Sequence, residues 1–278
     1  MTIKFTLPII ENENGLNLNL DYAHSLGNDY KNIYLSAAPF PSIIFDNFLP
    51  EVVIEKLLSN FPNEVSNNDY IANTIHLENL KRGINPSDCN YAAKHIFSFF
   101  NSPPILKFLE GLTDISNLVS DPYFLGGGYH EIKSGGKLSI HADFRSHKEL
   151  NLQRRINMLI YLNKNWYTEF GGNLELWDDK MLKAVTSIEP IFNRCVIFNT
   201  DEKSYHGHPD PLQCPENITR KSVALYYYNS FTRNTDASMT RGTDFKFRKT
   251  DSFATKFKIT RKLIKTNLKE YLIKIRLK

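Results

Sequence analysis

Residues 137–145 read Lys-Leu-Ser-Ile-His-Ala-Asp-Phe-Arg, and the interpretation of the whole chain depends on them. The stretch predicts a short β-strand that ends by presenting His141 and Asp143. Because side chains of a strand alternate between its two faces, positions 141 and 143 share one face. An imidazole and a carboxylate so placed are two-thirds of a 2-His-1-carboxylate triad, which holds non-haem Fe(II). A His-x-Asp pair also occurs by chance, so the assignment requires a third ligand and a scaffold.

A β-rich scaffold is predicted around this strand. After Pro122, glycine pairs and one glycine triplet separate short segments rich in β-branched and aromatic residues. Many short strands with turn signals between them are typical of a sandwich or barrel. The predicted strands cover residues 123–132, 137–143, 154–162, 173–177, 184–189, 194–199 and 221–229.

The N-terminal part predicts helices that pack against this sheet. Apolar residues at helical spacing predict helices at about 50–61, 87–101 and 105–112. Residues 1–37 are polar and rich in asparagine, so we expect a loosely packed arm or an edge strand there. Residues 63–85 are mixed in character and give no assignment.

The composition is that of a globular protein in a reducing compartment. Hydrophobic residues make up 41% of the 278 residues. No segment approaches the roughly 18 consecutive apolar residues that a transmembrane helix needs, and the N-terminus lacks the apolar region of a signal peptide. Cys89, Cys195 and Cys214 are widely spaced, which argues against a disulfide framework and a zinc ribbon. We therefore expect a cytoplasmic protein.

Two histidines after a second buried strand are candidates for the third ligand. Residues 194–208 read Arg-Cys-Val-Ile-Phe-Asn-Thr-Asp-Glu-Lys-Ser-Tyr-His-Gly-His. A buried strand is followed by a polar turn, and His206 and His208 come next. The two share strand parity, so alternation cannot choose between them. Solvated loop histidines are the alternative interpretation of this segment taken alone.

A cation on a neighbouring strand is expected to bind a carboxylate. Arg220 and Ser222 share one face of the predicted strand that they open. A guanidinium beside a hydroxyl can hold a carboxylate through charge-assisted hydrogen bonds. On the 154–162 strand, alternation places Arg155, Asn157 and Tyr161 on a polar face, where the Tyr161 phenol is a second donor. The opposite face of that strand is apolar, and we expect it to pack against the core.

The order of these motifs resembles the 2-oxoglutarate- and Fe(II)-dependent dioxygenases. His-x-Asp at 141–143 is followed by Ile-Tyr-Leu-Asn-Lys-Asn-Trp at 160–166, Gly-Gly-x-Leu at 171–174, a late histidine and an arginine. Tyr-Leu-Asn-Lys-x-Trp with the following glycine pair is most similar to the prolyl 4-hydroxylase-like branch, which includes the hypoxia-factor prolyl hydroxylases. The similarity covers about residues 122–230.

The resemblance implies a fold class of α+β, mainly β. It implies a double-stranded β-helix (jelly roll) core with N-terminal helices packed on one sheet and a C-terminal basic helix. We expect an N-terminal arm with supporting helices at 1–120, the dioxygenase core at 121–232 and a basic extension at 233–278. The interval between His206 and Arg220 is longer than usual in the family. Its inserted residues, 210–215, are expected to loop over the mouth of the pocket.

The resemblance also implies roles for individual residues. His141, Asp143 and His206 would be the iron ligands. Arg220, together with Tyr161 and Ser222, would hold the distal carboxylate of 2-oxoglutarate. The implied cofactors are Fe(II), the cosubstrate 2-oxoglutarate and O2, with ascorbate as reductant.

Local sequence also favours His206 over His208 as the ligand. Pro209 cannot donate a ladder hydrogen bond and biases His208 toward the start of a turn. His206 is closer to the buried strand at 195–198, whose rigidity would fix a metal ligand. We therefore expect His208 at the rim of the pocket, as a contact for the substrate.

The function that these residues predict is hydroxylation of an unactivated C–H bond, with release of succinate and CO2. The expected substrate is a peptidyl residue of the proline type. The alternatives are a small molecule or a sugar or glycan intermediate, and a jelly roll that binds without catalysis. A complete ligand set together with Arg220 argues against the last. The sequence does not decide the oligomeric state.

The C-terminal segment carries the basic character of the chain. Residues 231–278 hold 14 Lys and Arg against 4 Asp and Glu, so the rest of the chain is acidic on balance. Apolar residues recur at roughly helical spacing at Phe257, Ile264, Leu268 and the pair Tyr271-Leu272. We expect a solvated basic helix docked on the domain, and the alternative is peripheral contact with an acidic membrane or another polyanion. No nucleic-acid partner is expected.

Overall fold

The computed structural model describes residues 2–147, 149–230 and 242–276, with side chains described as far as residue 265. Within these residues, fourteen strands form one sheet and two more form a separate hairpin. The strands are β1 (Ile3–Lys4), β2 (Ile10–Asn12), β3 (Gly15–Asn17), β4 (Ser42–Asp46), β5 (Tyr70–Thr74), β6 (Glu78–Ile84), β7 (Val119–Ser120), β8 (Gly128–Ala142), β9 (Ser146–His147), β10 (Leu152–Tyr161), β11 (Leu174–Trp177), β12 (Ala184–Ile188), β13 (Arg194–Asn199), β14 (His206–His208), β15 (Arg220–Asn229) and β16 (Asp244–Phe245). The helices are α1 (Leu20–Asn28), α2 (Lys31–Leu35), α3 (Glu51–Ser59), α4 (Tyr91–Phe100), α5 (Pro103–Thr113) and α6 (Phe253–Arg276). The predicted fold class, mainly β with supporting helices, is confirmed.

The sheet is organised around β8. Its main path runs β1-β4-β13-β10-β15-β8-β14-β11-β12, and β6 and β16 also pair with β8. Within β8 the register on β6 jumps from Lys81 opposite Ile132 to Asn79 opposite Lys137. The intervening glycine-containing residues bulge out and bend the strand. What the sequence predicted as two strands is therefore one long bent strand, which pairs with β6, β14, β15 and β16.

The core lies between the sheet and helices α1–α5. The face of β10 that the sequence predicted to be apolar is buried there, and Ile156, Met158 and Ile160 are all 0% exposed. Phe45 and Phe48 stack on each other with ring centroids 5.8 Å apart, and the ring of Phe108 in α5 contacts both. Burial of each such side chain contributes about 1.5–3 kcal/mol to stability. The helices thus form the support behind the sheet.

The first 37 residues are better packed than their composition predicts. β1 pairs with β4 as an edge strand, one of the two predicted outcomes. The prediction of a loosely packed arm was wrong, because α1 and α2 follow and Ala23 and Tyr34 are completely buried. Gly27 of α1 approaches the backbone of α5 so closely that a Cβ would meet the carbonyl of Phe108. Glycine therefore permits this contact between α1 and α5, which a pattern of apolar residues alone does not reveal.

The C-terminal segment forms α6, which docks on the domain through Ile259. Ile259 is completely buried against Leu77 and Phe245. The side chains of Leu268, Tyr271 and Leu272, which the sequence placed on the apolar side of this helix, lie outside the described residues. None of the helices in the described ranges combines the length and the apolarity that crossing a bilayer requires.

Candidate active site

Strands β8 and β14 bring a histidine-carboxylate-histidine cluster together. In the antiparallel pair of β8 and β14, His141 lies directly opposite His206, and their ring centroids are 4.5 Å apart. Asp143 follows the last residue of β8. Asp143 Oδ1 lies 3.5 Å from His141 Nε2, and Asp143 Oδ2 lies 3.4 Å from His206 Nε2. One ligand atom from each residue lies within 4.8 Å of the other two, which is close enough for the three residues to hold one metal ion.

Backbone hydrogen bonds determine which nitrogen of each imidazole carries a proton. His141 Nδ1 lies 2.9 Å from the carbonyl oxygen of Ser139, and His206 Nδ1 lies 2.9 Å from that of Ser204. Because a carbonyl can only accept, each Nδ1 must carry the proton and donate it. In the neutral ring this leaves the lone pair on Nε2, which faces Asp143. Both imidazoles are therefore set to ligate a metal through Nε2.

The carboxylate of the cluster is held by two buried donors on β10. Arg154 Nη2 donates to Asp143 Oδ2 at 3.0 Å, and Asn157 Nδ2 donates to the same oxygen at 2.7 Å. Arg154 also donates to Asn157 Oδ1, and its guanidinium lies 3.4 Å from the ring centroid of Tyr226. Both donors bind Oδ2, so they fix the orientation of the carboxylate and leave Oδ1 directed at His141.

Arg154 was not predicted to be in the site. The sequence instead predicted Arg155 on the polar face of the 154–162 strand. The prediction for Arg155 was wrong because β10 has a bulge there: Arg154 pairs with Tyr228, and Ile156 already pairs with Tyr227. A bulge adds one residue and reverses the parity of everything before it. Arg154 consequently lies on the same side as Asn157. No local signal in the sequence marks this bulge.

The cluster is an electrostatically coupled unit. Burial alone would raise the pKa of Asp143, but the charge of Arg154, together with interactions with His206 and His141, holds this pKa well below its ordinary value. Burial lowers the pKa of His206 to about 4, although Asp143 acts in the opposite direction. The carboxylate is thus ionised and His206 is neutral near pH 7. These are the protonation states that metal coordination requires.

A cavity of about 680 Å3 opens beside the cluster. Arg220, Tyr161 and Ser222, the residues predicted to hold a carboxylate, all line it. Ser222 lies opposite Tyr161 across β15 and β10. Arg220 Nε donates to the carbonyl of Gly172 at 2.8 Å, and Arg220 Nη2 lies 3.4 Å from the Tyr161 hydroxyl. Burial lowers the pKa of the Arg220 guanidinium and raises that of the Tyr161 phenol.

The Tyr-Leu-Asn-Lys-x-Trp motif builds the turn that supports Arg220. Asn163 accepts from the backbone of Lys221 at 2.6 Å, which ties the end of β10 to β15. Trp166 donates to the carbonyl of Gly171 at 3.0 Å. A Cβ on Gly172, whose φ is +71°, would collide with Leu212 and stand 3.1 Å from Arg220 Cδ. The glycine is therefore required for Arg220 to reach the carbonyl of residue 172.

His208 lies inside the cavity and not at its rim, where the sequence placed it. Its side chain is 3% exposed and lines the same cavity as His206. Neither of its ring nitrogens has a hydrogen-bond partner among the described residues. The prediction was wrong because β14 continues through residue 208, pairing it with Leu138 of β8. A neutral imidazole with unsatisfied nitrogens is thus directed at the space where a ligand would bind.

One wall of the cavity comes from β5 and β6, in the region that gave no pattern in the sequence. Glu78, Lys81 and Tyr70 line it together. Lys81 Nζ donates to one oxygen of Glu78 at 3.0 Å, and the Tyr70 hydroxyl donates to the other at 3.0 Å. Lys81, Ile132 and Arg220 occupy one row across β6, β8 and β15. Only the pairing of β6 with β8 brings this polar wall to the site.

The segment between β14 and β15 does not close the cavity as predicted. Leu212 and Cys214 are buried against Ile132 and Phe170. Backbone hydrogen bonds join Leu212 to Gly135 and Gly136 in both directions. Of the described residues that line the cavity, none belongs to 209–219. The segment therefore packs behind Arg220, because its apolar residues are more stable against β8 than in solvent over the mouth.

Comparison with known proteins identifies the same region. Residues 127–228 match the sequence model of the 2OG-Fe(II) oxygenase superfamily. A stretch of 85 residues is 34% identical to mouse prolyl 3-hydroxylase OGFOD1, covering 29% of this chain and 15% of that protein. The chain therefore spans a small part of this relative's length.

Two solved structures share the fold. A prolyl hydroxylase from Trichoplax adhaerens, in complex with a hypoxia inducible factor oxygen degradation domain peptide, has a TM-score of 0.51 at 18% identity. It covers 76% of this chain and 92% of its own. A prolyl-4-hydroxylase from Pseudomonas putida has a TM-score of 0.51 at 15% identity, covering 73% of this chain and 99% of its own. The double-stranded β-helix that the sequence predicted is confirmed, as is the resemblance from which it was predicted.

Proposed function

We propose, from the premise that the core at 127–228 is that of a 2OG-Fe(II) oxygenase of the prolyl hydroxylase type, that this protein is an Fe(II)- and 2-oxoglutarate-dependent dioxygenase. The reaction is hydroxylation of a peptidyl residue of the proline type. The observation that carries the proposal is the cavity shared by the His141-Asp143-His206 cluster and the buried Arg220. The core at 121–232 carries the chemistry, and the segments at 1–120 and 233–278 flank it.

The donor set fits Fe(II). His141 and His206 each direct a lone pair on Nε2 toward the ionised carboxylate of Asp143. Two imidazoles and one carboxylate are the facial triad that non-haem iron takes, with positions left for other ligands. Arg154 and Asn157 act as positioning residues, because they hold the carboxylate through Oδ2. Hydrogen bonds within the protein thus organise the site for the metal.

Arg220 fits the distal carboxylate of 2-oxoglutarate. It is 5% exposed, and within the described part of the chain its guanidinium donates to two neutral oxygens, those of Gly172 and Tyr161. A buried cation whose partners are neutral is costly, so an anionic ligand would relieve the cost. Tyr161 and Ser222 supply hydroxyl groups on the same side. His208 is placed to donate from its unsatisfied ring to the bound cosubstrate or substrate.

Bound Fe(II), 2-oxoglutarate and O2 supply the oxidising chemistry, releasing succinate and CO2, and ascorbate is the proposed reductant. The chain's own contribution is placement. Arg220 and the cluster lie at separate positions in one cavity and so define how an elongated dianion is oriented between them. Leu159 and Leu174 also line this cavity, and their apolar side chains make it a poorer environment for water.

The proline-type substrate is supported by the 34% identity to a protein named as a prolyl 3-hydroxylase. The second candidate is a small polar molecule or a sugar or glycan intermediate. It is favoured by the hydrogen-bonded wall of Tyr70, Glu78 and Lys81, which offers charged donors and acceptors to a ligand. We also propose a cytoplasmic location, which is supported by three cysteines that are free and buried.

The test begins with anaerobic addition of Fe(II) and 2-oxoglutarate to the folded apoprotein. An iron-oxoacid chelate gives a weak visible charge-transfer band, and a folded protein without this band would contradict the proposal. Replacement of His206 by Ala should remove the band. His24→Ala, which changes an exposed histidine on α1, is the matched control and should retain it. Succinate release in the presence of candidate peptides and sugars, followed by mass spectrometry for an added oxygen, then distinguishes the two substrate classes.

A further inference from the structure

Helix α6 has one face that docks on the domain. Thr255 and Ile259 lie on this face, 4% and 0% exposed. Ile259 packs on Leu77 and Phe245, and the Thr255 hydroxyl lies 3.0 Å from His76 Nδ1. The helix is therefore fixed on the domain, and the direction of its other face is determined.

The opposite face carries an exposed apolar stripe. Phe253, Phe257 and Ile264 are 83%, 60% and 61% exposed. At about 100° per residue, these three positions fall within about 40° of one another around the helix axis. The rings of Phe253 and Phe257 stack with centroids 6.4 Å apart. A row of large apolar side chains on an exposed helix marks a surface that contacts something else.

Basic residues flank the stripe. Residues 253–265 contain five Lys or Arg and no Asp or Glu, and residues 266–278 add four basic residues and one acidic residue. Lys258, Arg261 and Lys265 are exposed. Together with Phe257, these three help to line a groove of about 590 Å3 that runs along the helix beside His76 and Leu77. The surface therefore combines cationic groups with aromatic and aliphatic contacts.

We propose that this face of α6 docks on an anionic lipid bilayer, with the helix lying in the plane of the interface. The positive charge and the apolar stripe of this surface together favour an anionic bilayer over other binding partners. A second copy of the chain would place one basic helix against another, which is repulsive. A soluble polyanion would engage the lysines and leave the apolar stripe in water. An anionic bilayer satisfies both, because headgroups neutralise the basic residues and the acyl boundary takes the apolar side chains.

The basic residues and the apolar stripe contribute separately to the expected affinity for an anionic bilayer. A Lys or Arg close to an anionic bilayer strengthens binding by about fivefold, the equivalent of about 1 kcal/mol. Loss of three such residues should therefore weaken binding by about a hundredfold. Partial burial of three large apolar side chains should contribute at least about tenfold more. Docking does not depend on the proposed activity, so it can be tested without substrate.

The experiment is co-sedimentation of the full-length protein with vesicles of phosphatidylcholine, with or without phosphatidylglycerol, at low and physiological salt. One variant carries Phe253→Ser, Phe257→Ser and Ile264→Ser. Its matched control carries three serines at Ile10, Val65 and Tyr91, which are 68%, 62% and 83% exposed on other elements. A charge variant carries Gln at Lys258, Arg261 and Lys265, and its control carries Gln at the exposed Lys4, Lys94 and Lys180.

We expect binding to the anionic vesicles that falls at least tenfold in the stripe variant and about a hundredfold in the charge variant, with both controls unchanged. Circular dichroism verifies that each variant is folded. Absence of binding to anionic vesicles, or equal losses in variants and controls, would overturn the proposal. Unchanged binding in the stripe variant would mean simple attraction to a polyanion. A fall in molecular mass of the stripe variant by light scattering, with vesicle binding intact, would assign the face to self-association.

Discussion

The guanidinium of Arg154 donates to Asp143 Oδ2 at 3.0 Å and is itself only 1% exposed. The contact joins a residue at the start of β10 to the carboxylate that follows β8. It is enclosed by Phe144 and Tyr226, whose ring centroids lie 4.6 Å and 3.4 Å from the guanidinium carbon. The buried carboxylate of Asp143 is thus ionised because a buried cation compensates its charge.

Replacement of Arg154 by Met should weaken binding of Fe(II) by about 10–100-fold, because the carboxylate loses the donor that orients it. Isothermal titration with the metal, under anaerobic conditions, measures the change. Arg155→Met is the matched control, since this neighbouring arginine lies across the bulge and outside the cavity. If both variants lost affinity equally, the loss would reflect damage to β10 and not the contact with Asp143.

Replacement of Arg220 by Ala should raise the 2-oxoglutarate concentration required, with little change in the iron requirement. The lost charge-assisted hydrogen bonds cost about 1.5–3 kcal/mol, which corresponds to roughly 10–150-fold in affinity. The loss of affinity is measured by titrating 2-oxoglutarate into the iron-loaded protein and following the charge-transfer band. Lys221→Ala, on the other face of β15, is the control. A parallel rise in both requirements would make Arg220 a structural residue.

The two histidines of β14 should give different phenotypes. His206→Ala removes one of the three residues proposed to bind the metal and should abolish both iron binding and the uncoupled turnover of 2-oxoglutarate. His208→Ala should retain iron, because His208 is not one of the three clustered residues and its nitrogens are unsatisfied in the cavity, and should change only the response to cosubstrate or substrate. Metal titration and succinate assays separate the two. Exchanged phenotypes would transfer the ligand role to His208.

Gly207 should tolerate no side chain. A Cβ there would stand 2.7 Å and 2.9 Å from the carbonyl oxygens of Leu138 and Ser139, both in the backbone of β8. Gly207→Ala should therefore push β14 away from β8, displace His206 and lower iron affinity by at least tenfold. Gly83→Ala is the control, because a Cβ there meets its nearest neighbour at 3.6 Å. Metal titration with thermal unfolding distinguishes displacement of the ligand from general loss of stability.

The sequence by itself determined the parts of the site that depend on local alternation. His141 and Asp143 share a face because they are two residues apart, and Arg220 and Ser222 line the same cavity for the same reason. The spacing of apolar residues likewise predicted α3, α4 and α5 and the buried face of β10. These features follow from backbone geometry over a few residues, which any strand or helix imposes.

Only the tertiary structure decided the features that depend on pairing between distant strands. Because of the bulge at Arg155, Arg154 takes the position in the site that alternation predicted for Arg155. The bulge lets β10 pair with β15 on both sides of this point. The depth of His208 depends on β14 continuing along β8, and the wall of Glu78 and Lys81 depends on β6 pairing there. Register depends on how the apolar faces and the turns of several strands fit together, so a few residues close in sequence do not determine it.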